Sequence, residues 1–392
     1  MSVPIRSSKA AMMKKFIVKN FGPIKRAEIE FGDLTLLVGP QASGKSSLLQ
    51  LLKLAIDRDY IRKVLEQYTF VWNKDPTYNL DYYFGEGMNA LWNEKTDVQI
   101  DSTKFVLSKM APVKNDQYKN AVEKLFYIPA QRILSVEDGR PKFFSEFDTT
   151  VPFVLRYFSD SLRQLIQGFS AEEDMIFPVS RRLKDPLRQS FSKSIFHNAT
   201  IKLDARSGQK RFRLRMKNMD IPFMTWSAGQ KEFMPLLLGF YWLCPPTKAK
   251  RDRLEYVVIE EPEMGLHPSA IQSVMLQIVD LIDRGYKVIV STHSPILLDF
   301  AWFFQQMKNE KRAVDSYAAL FQVPSAHLKP YASFFNNGTV NSYFFKEGSS
   351  GIEVKDISSL ADYDDPDIRE WGNVSSFASR AVELVAERKA NG

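Results

Sequence analysis

Residues 34–46 read Leu34-Thr35-Leu36-Leu37-Val38-Gly39-Pro40-Gln41-Ala42-Ser43-Gly44-Lys45-Ser46. An apolar run enters a loop with glycine at both ends, and the stretch that leaves it, KSSLLQLLKLAID at 45–57, is apolar around most of a helical circumference. Strand, glycine loop and buried helix follow in that order, and the loop fits G-x-x-x-x-G-K-[ST]. Its chemistry is physical. Glycines let the backbone curl so that its N–H groups face an anion, and the following helix aims the positive end of its dipole at the same point. Lys45 is placed to neutralise β- and γ-phosphate oxygens, and the Ser46 hydroxyl to hold Mg²⁺. Gly39, Pro40, Gln41, Ala42, Ser43, Gly44, Lys45, Ser46 and Ser47 are the candidate phosphate-binding set.

Upstream of this segment come KKFIVKN at 14–20, a turn at Gly22-Pro23, KRAEIEF at 25–31 and a turn at Gly32-Asp33. Alternating residues with turn punctuation predict an antiparallel opening that runs into the strand 34–38. Downstream, LEYVVI at 254–259 is a near-continuous apolar run ending in Glu260-Glu261-Pro262-Glu263. A helix is predicted over 269–283, then a second apolar run, 287–290, leading into Ser291-Thr292-His293. Chemistry at the C-terminal end of each strand is the parallel α/β pattern. Given the phosphate loop, Glu260 is placed to reach Mg²⁺ through water, and Glu261 to orient or deprotonate a water attacking a γ-phosphate.

The segment Thr225-Trp226-Ser227-Ala228-Gly229-Gln230 precedes a predicted helix beginning near Lys231. Taken with NFGPI at 20–24, the phosphate loop, IEEPEMGLHP at 259–268 and STHSP at 291–295, in that order, it makes the chain resemble the ABC-type ATPases. The likeness is to the SMC-like and overcoming-lysogenization-defect (OLD-type) branch. It implies an α/β ABC-ATPase head with an antiparallel N-terminal sheet, a parallel P-loop core and an inserted helical plus β-hairpin region. It also implies ATP and Mg²⁺ as cofactors, ATP hydrolysis, and a head-to-tail homodimer. In that dimer Ser227, Gly229 and Gln230 of one protomer would meet the γ-phosphate held by Lys45 of the other. Glu261, His293 and Lys45 are then the expected catalytic residues, His293 as the switch histidine, and Gly265-Leu266-His267 falls where the D-loop of the family lies. The alternative for His293, which follows a buried strand, is a satisfied core histidine, and His267 is open between the two readings. Gln131, between the strand 125–130 and a helical stretch, takes the place of the Q-loop glutamine and joins Ser46 and Glu260 as a metal-side residue. Glu260 replaces the commoner Asp and Ala228 the commoner Gly; a water-bridged metal tolerates the first, and the second keeps its backbone N–H.

The expected divisions are an extension at 1–12, the first half of the core at 13–57, an insertion at 58–224, the second half at 225–345 and a C-terminal segment at 346–392. The C-terminal segment is read as a hairpin around Gly348–Gly351, an acidic turn at Asp362, Asp364, Asp365 and Asp367, and a helix from about Val374 to Arg388. About 180 residues separate Ser46 from Ser227 and no heptads run through them, so the long coiled coils of chromosome-organising relatives do not fit. The stretch after Pro295 lacks the strand-end acid pattern of the nuclease domain that OLD-type proteins append. The chain in this respect resembles stand-alone ATPase subunits of bacterial antiviral defence systems such as PARIS, which implies a sensor or scaffold acting on a separate effector, a nuclease or toxin, in dimers or higher assemblies of dimers.

Composition narrows the alternatives. The 392 residues are 44% hydrophobic and 25% charged with a formal charge of +7, which fits a globular protein with a large core. One cysteine, Cys244, excludes an intrachain disulfide framework and points to a reducing, cytoplasmic setting. The apolar run 233–244 is too short to span a bilayer, and no apolar leader precedes Lys14. Arg181 to Lys217 carry twelve Lys or Arg against Asp185 and Asp204. Within RFRLRMK, Arg211, Arg213, Arg215 and Lys217 fall on one strand face, which could track a nucleic-acid backbone or be a solvated face. DNA repair or recombination through that region is the alternative function. Seven aromatics at 68–84 are read as satellite core rather than partner surface.

Overall fold

The computed structural model describes residues 13–112, 118–169, 175–204, 209–308, 310 and 313–359. The predicted N-terminal extension, the acidic turn at 362–367 and the helix 374–388 lie outside the described residues, as do residues 205–208 of the basic stretch.

The frame is a ten-stranded mixed sheet. Its strands are β1 (Lys15–Phe21), β2 (Ile24–Glu30), β3 (Leu34–Val38), β4 (Asp97–Ile100), β5 (Thr103–Phe105) and β6 (Leu125–Ile128). Two short strands, β7 (Val136–Glu137) and β8 (Arg140–Pro141), pair apart from it, and β9 (Met175–Phe177), β10 (Thr200–Asp204), β11 (Arg211–Met216) and β12 (Met219–Pro222) form a separate antiparallel sheet. The main sheet resumes with β13 (Tyr256–Glu260), β14 (Lys287–Thr292), β15 (Val340–Gly348) and β16 (Gly351–Asp356). The order is β5-β4-β1-β2-β16-β15-β3-β14-β13-β6, parallel from β15 to β6 and largely antiparallel on the other flank.

Period-two alternation splits each parallel strand between two cores. Leu34, Leu36, Val38, Val257, Ile259, Val288 and Val290 pack on one face, while Leu37, Tyr256, Val258 and Ile289 pack on the other. The second face is covered by α1 (Lys45–Gln67) and α2 (Pro76–Phe84), and α3 (Phe153–Gln167) supplies side chains to both cores. A short helix, α4 (Asp185–Phe191), with α5 (Ala228–Leu243), α6 (Pro268–Asp283) and α7 (Pro295–Met307), covers the first face. Two buried faces are what a parallel sheet requires, and they explain why these strands read as unbroken apolar runs.

Three expectations change. The strand 34–38 does not extend the antiparallel opening; β3 lies between β14 and β15, parallel to both, and all five of its residues are buried. The helix after the phosphate loop does not stop at 57 but runs to Gln67 through a break at Asp57 (φ −116°, ψ 21°). That break has a cause: the Asp57 carboxylate accepts the amides of Lys124 at 2.9 Å and Leu125 at 3.0 Å and pairs with Lys53 at 2.8 Å. The stretch 58–224 is also not one inserted body, since β4, β5 and β6 belong to the main sheet, and a division at 345/346 would cut β15.

The hairpin at 348–351 joins β15 to β16 as expected. The aromatic segment is mostly core: Trp72, Tyr83 and Phe84 are buried, Tyr68 stacks on Phe144 at 4.2 Å, and Tyr78 is exposed. No helix among the described residues is long and apolar enough to cross a membrane.

Candidate functional site

The phosphate loop leaves β3, all of whose residues are buried, and enters α1, so both its ends are fixed by elements packed in the core. Gly39 (φ +148°) sits where a Cβ would lie 2.8 Å from the Phe345 side chain, and Gly44 (φ +85°) turns the chain into the helix. Both positions are closed to a side chain, one by space and both by conformation. Lys45 is 5% exposed and folds back over the loop, donating to the carbonyls of Gly39 at 2.9 Å and Pro40 at 2.6 Å and to Ser43 Oγ at 3.2 Å. Burial lowers its pKa to about 8, against the opposing pull of Glu261, Glu260 and Glu263.

A cavity of about 210 Å³ opens over this loop, lined by Gln41 to Ser47 together with Pro23, Glu261 and His293. Parallel pairing of β3, β14 and β13 is what brings these residues together, because each sits just beyond the same edge of the sheet. Pro23, in the β1–β2 turn, also lines the cavity; in the sequence it is marked only as a turn residue and by its place in NFGPI, not as a site residue.

Glu260 ends β13 and is 4% exposed. Its Oε2 accepts the Ala130 amide at 3.1 Å, while Oε1 is buried without a partner, as is the Tyr127 hydroxyl. Burial pushes the Glu260 carboxyl above the usual range, with Ser46, the Ala130 amide and Tyr127 drawing it back. An unpartnered carboxylate oxygen beside the Ser46 hydroxyl is a donor pair that suits a hard divalent cation. Gln131 is exposed at the end of β6, next to Ala130.

Glu261 turns the chain with φ +42°, donates its amide to Ser291 O at 2.8 Å and presents Oε1 3.3 Å from His293 Nε2. A non-glycine residue in the left-handed region stores strain, and such residues gather at functional sites. Glu263 holds the next strand end in register, accepting from Thr292 Oγ1 and from the His293 amide, both at 2.7 Å. Arg132 is fully buried and bonds the carbonyls of Glu260, Glu261 and Glu232. Nothing in the sequence marks Arg132, because these acceptors are backbone carbonyls 100 or more residues away.

Ser227, Gly229 and Gln230 lie outside this cavity. Ser227 caps α5 in a reciprocal box with Gln230, amide to side chain at 3.3 Å in both directions, and is exposed. Gly229 abuts the bend at Gly265, where an added Cβ would meet Gly265 O at 2.6 Å. His267 caps α6 and meets Ser269 Oγ through Nδ1 at 3.0 Å.

In the basic stretch, Arg211, Arg213 and Arg215 do share one face of β11, but Lys217 lies in the turn beyond it at φ +53°. The three arginines are paired locally: Arg211 with Asp138 at 3.8 Å, Arg213 with Asp204 at 2.6 Å and Arg215 with Asp220 at 2.7 Å. Lys184 is likewise engaged by Asp280 and Asp283, both at 3.0 Å.

The phosphate loop, the strand-end acids and His293 meet at one end of a mixed α/β frame, the arrangement of a P-loop nucleotide-binding domain. The chain belongs to the family described as "AAA domain, putative AbiEii toxin, Type IV TA system", whose model matches residues 34–299, more than half of it. It is 55% identical over 141 residues to the Old nuclease of Escherichia phage P2, a stretch that covers 36% of this chain and 23% of that protein. Among solved structures it is similar to the SMC head domain from Thermotoga maritima, with 11% identity, a TM-score of 0.37, and 88% of this chain and 99% of that one covered. A dimeric bacterial ABC transporter cassette is similar at 12% identity and a TM-score of 0.33, with 73% and 90% covered. Likeness at that level carries no argument of its own; the fold is defined by the strand order above.

Proposed function

We propose that the chain binds and hydrolyses Mg-ATP at composite sites of a head-to-tail homodimer and works as a sensor or scaffold that controls a separate effector, a nuclease or toxin, in antiviral defence. One observation carries this reading. The cavity that gathers the phosphate loop, Glu261 and His293 does not include Ser227 and Gly229, which stand at the positive end of another helix, Ser227 exposed and Gly229 half-buried.

In this reading the loop amides and Lys45 bind the phosphates, and Ser46, Glu260 and the nearby Gln131 form the metal side. The cation, when bound, supplies charge neutralisation at the transferring phosphoryl group. Glu261 orients and deprotonates the attacking water, with its carboxylate held by His293, and His293 is itself fixed through its amide by Glu263. Ser227 and Gly229 of the partner would close the site. Control of an effector is inferred from the family likeness, and a cytoplasmic location from the single, buried Cys244.

The test is ATP turnover together with light-scattering mass. Wild type is expected to hydrolyse ATP, and Glu261→Gln to lose turnover by about 100-fold or more while holding an ATP-dependent dimer. Equal turnover in both would remove Glu261 from catalysis, and a monomer at saturating ATP would remove the composite site. Direct DNA binding finds less support, because Arg211, Arg213 and Arg215 are already paired with carboxylates.

A further inference from the structure

The catalytic acids and Ser227 sit on different elements, and a buried arginine bridges them. Arg132 opens the short turn that follows β6. Its Nε donates to Glu232 O at 3.2 Å, on the second turn of α5, and Nη1 donates to Glu260 O at 3.1 Å and Glu261 O at 3.2 Å, at the end of β13. Burial lowers the basicity of Arg132, and Glu232, Glu263, Glu261 and Glu260 oppose that loss.

Two atoms are left over. Arg132 Nη2 is buried with no partner, and so is Glu232 Oε2 on the neighbouring helix. Unpaired opposite charges under cover are costly, and each is the natural partner of the other. Glu232 also leans on the bend after the strand-end acids: its Cγ lies 3.1 Å from where a Cβ of Gly265 would stand.

We propose that Arg132 is a positioning residue that transmits the placement of α5, and so of Ser227 five residues before Glu232, to the strained Glu260–Glu261 turn, with Glu232 as its latent charge partner. The guanidinium is a rigid fork, so a shift of the Glu232 carbonyl turns the whole plane and moves the donors that hold the Glu260 and Glu261 carbonyls. At φ +42° the Glu261 backbone sits in a narrow well and responds to such a pull. A bound γ-phosphate engaged by Ser227 would thereby set the carboxylate that positions water. This inference rests on the ATPase reading above.

The experiment uses the full-length protein as wild type, Arg132→Lys, Glu232→Gln and the double variant. Four quantities are read: affinity for a fluorescent ATP analogue, kcat, KM for ATP, and Tm. Arg132→Lys is expected to bind nucleotide within about 3-fold of wild type with KM little changed while kcat falls about 10-fold or more, and Glu232→Gln to lower kcat about 3-fold or more. The double variant should be no more than about 2-fold worse than Arg132→Lys, because the two act through one contact.

Multiplying effects, a wild-type kcat, or a common fall of binding, Tm and kcat overturns the proposal. If Arg132→Lys does not fold, Glu232→Gln decides alone: reduced kcat at unchanged affinity supports the coupling, and unchanged kcat sinks it. A wild type that binds but never turns over ATP defeats the ATPase reading instead. The coupling is then read from the nucleotide concentration that drives dimerisation, which the folded variant must raise about tenfold.

Discussion

Lys45 illustrates how a single side chain reports the state of its site. Its amine donates to the carbonyls of Gly39 and Pro40, and burial brings its pKa down to about 8. The sign follows directly. Below pH 8 the free protein already carries the charge that a triphosphate needs; above it the amine is neutral and binding must take up a proton. Nucleotide affinity is therefore expected to be flat below pH 8 and to fall by up to about tenfold per pH unit above it, measured as Kd against pH. Lys45→Ala should weaken binding at every pH and abolish that slope. At Gly229, where a Cβ would press on Gly265 O, Gly229→Ala is expected to cost about 1–3 kcal/mol in urea unfolding, because backbone there cannot yield cheaply. These residues were legible in the sequence because their chemistry sits at strand ends and glycine turns, which local pattern marks. Arg132 and Pro23 were not, since what they do depends on contacts made only after the chain has folded.

Helix α1 shows how an element can be recognised and still be misjudged in extent. The apolar pattern of 45–57 is real, and Asp57 looks like a stop; tertiary partners instead hold it as a break within a longer helix. Lys53, fully buried, answers Asp57 and Glu123, each at 2.8 Å, and donates to the Leu125 carbonyl. Breaking such a cluster leaves an uncompensated charge in the core, so Asp57→Asn or Lys53→Met is expected to cost about 3–5 kcal/mol in denaturant unfolding. Strand β3 was misassigned for a related reason: LTLLV carries no alternation, and an unbroken apolar run cannot tell which neighbours it will take. The parallel half was readable because β13 and β14 each end in chemistry; the membership of β4, β5 and β6 in the same sheet was not, because their pairings span intervals without a local signal.

Across the whole molecule, part of the concentrated positive charge of 181–217 is met at home, by carboxylates beside Lys184, Arg188, Arg211, Arg213 and Arg215. Paired arginines on an exposed face contribute about 0–1 kcal/mol each, so replacing Arg211, Arg213 and Arg215 together with Ala is expected to leave the salt dependence of any DNA affinity unchanged, as a titrated binding assay would show. The order of strands in the main sheet has a further reach. Strand β3, which carries the phosphate loop, is flanked by β14 and β15, and β2 is flanked on one side by β16. A ribosome therefore makes Gly39–Ser46 ahead of the neighbours that hold this loop in shape, which emerge about 240 residues later for β14 and about 290 later for β15. A nascent chain ending before Val340 should accordingly show no triphosphate affinity, and competence should arise abruptly once Asp356 is out, as binding of a fluorescent ATP analogue to chains of increasing length would show.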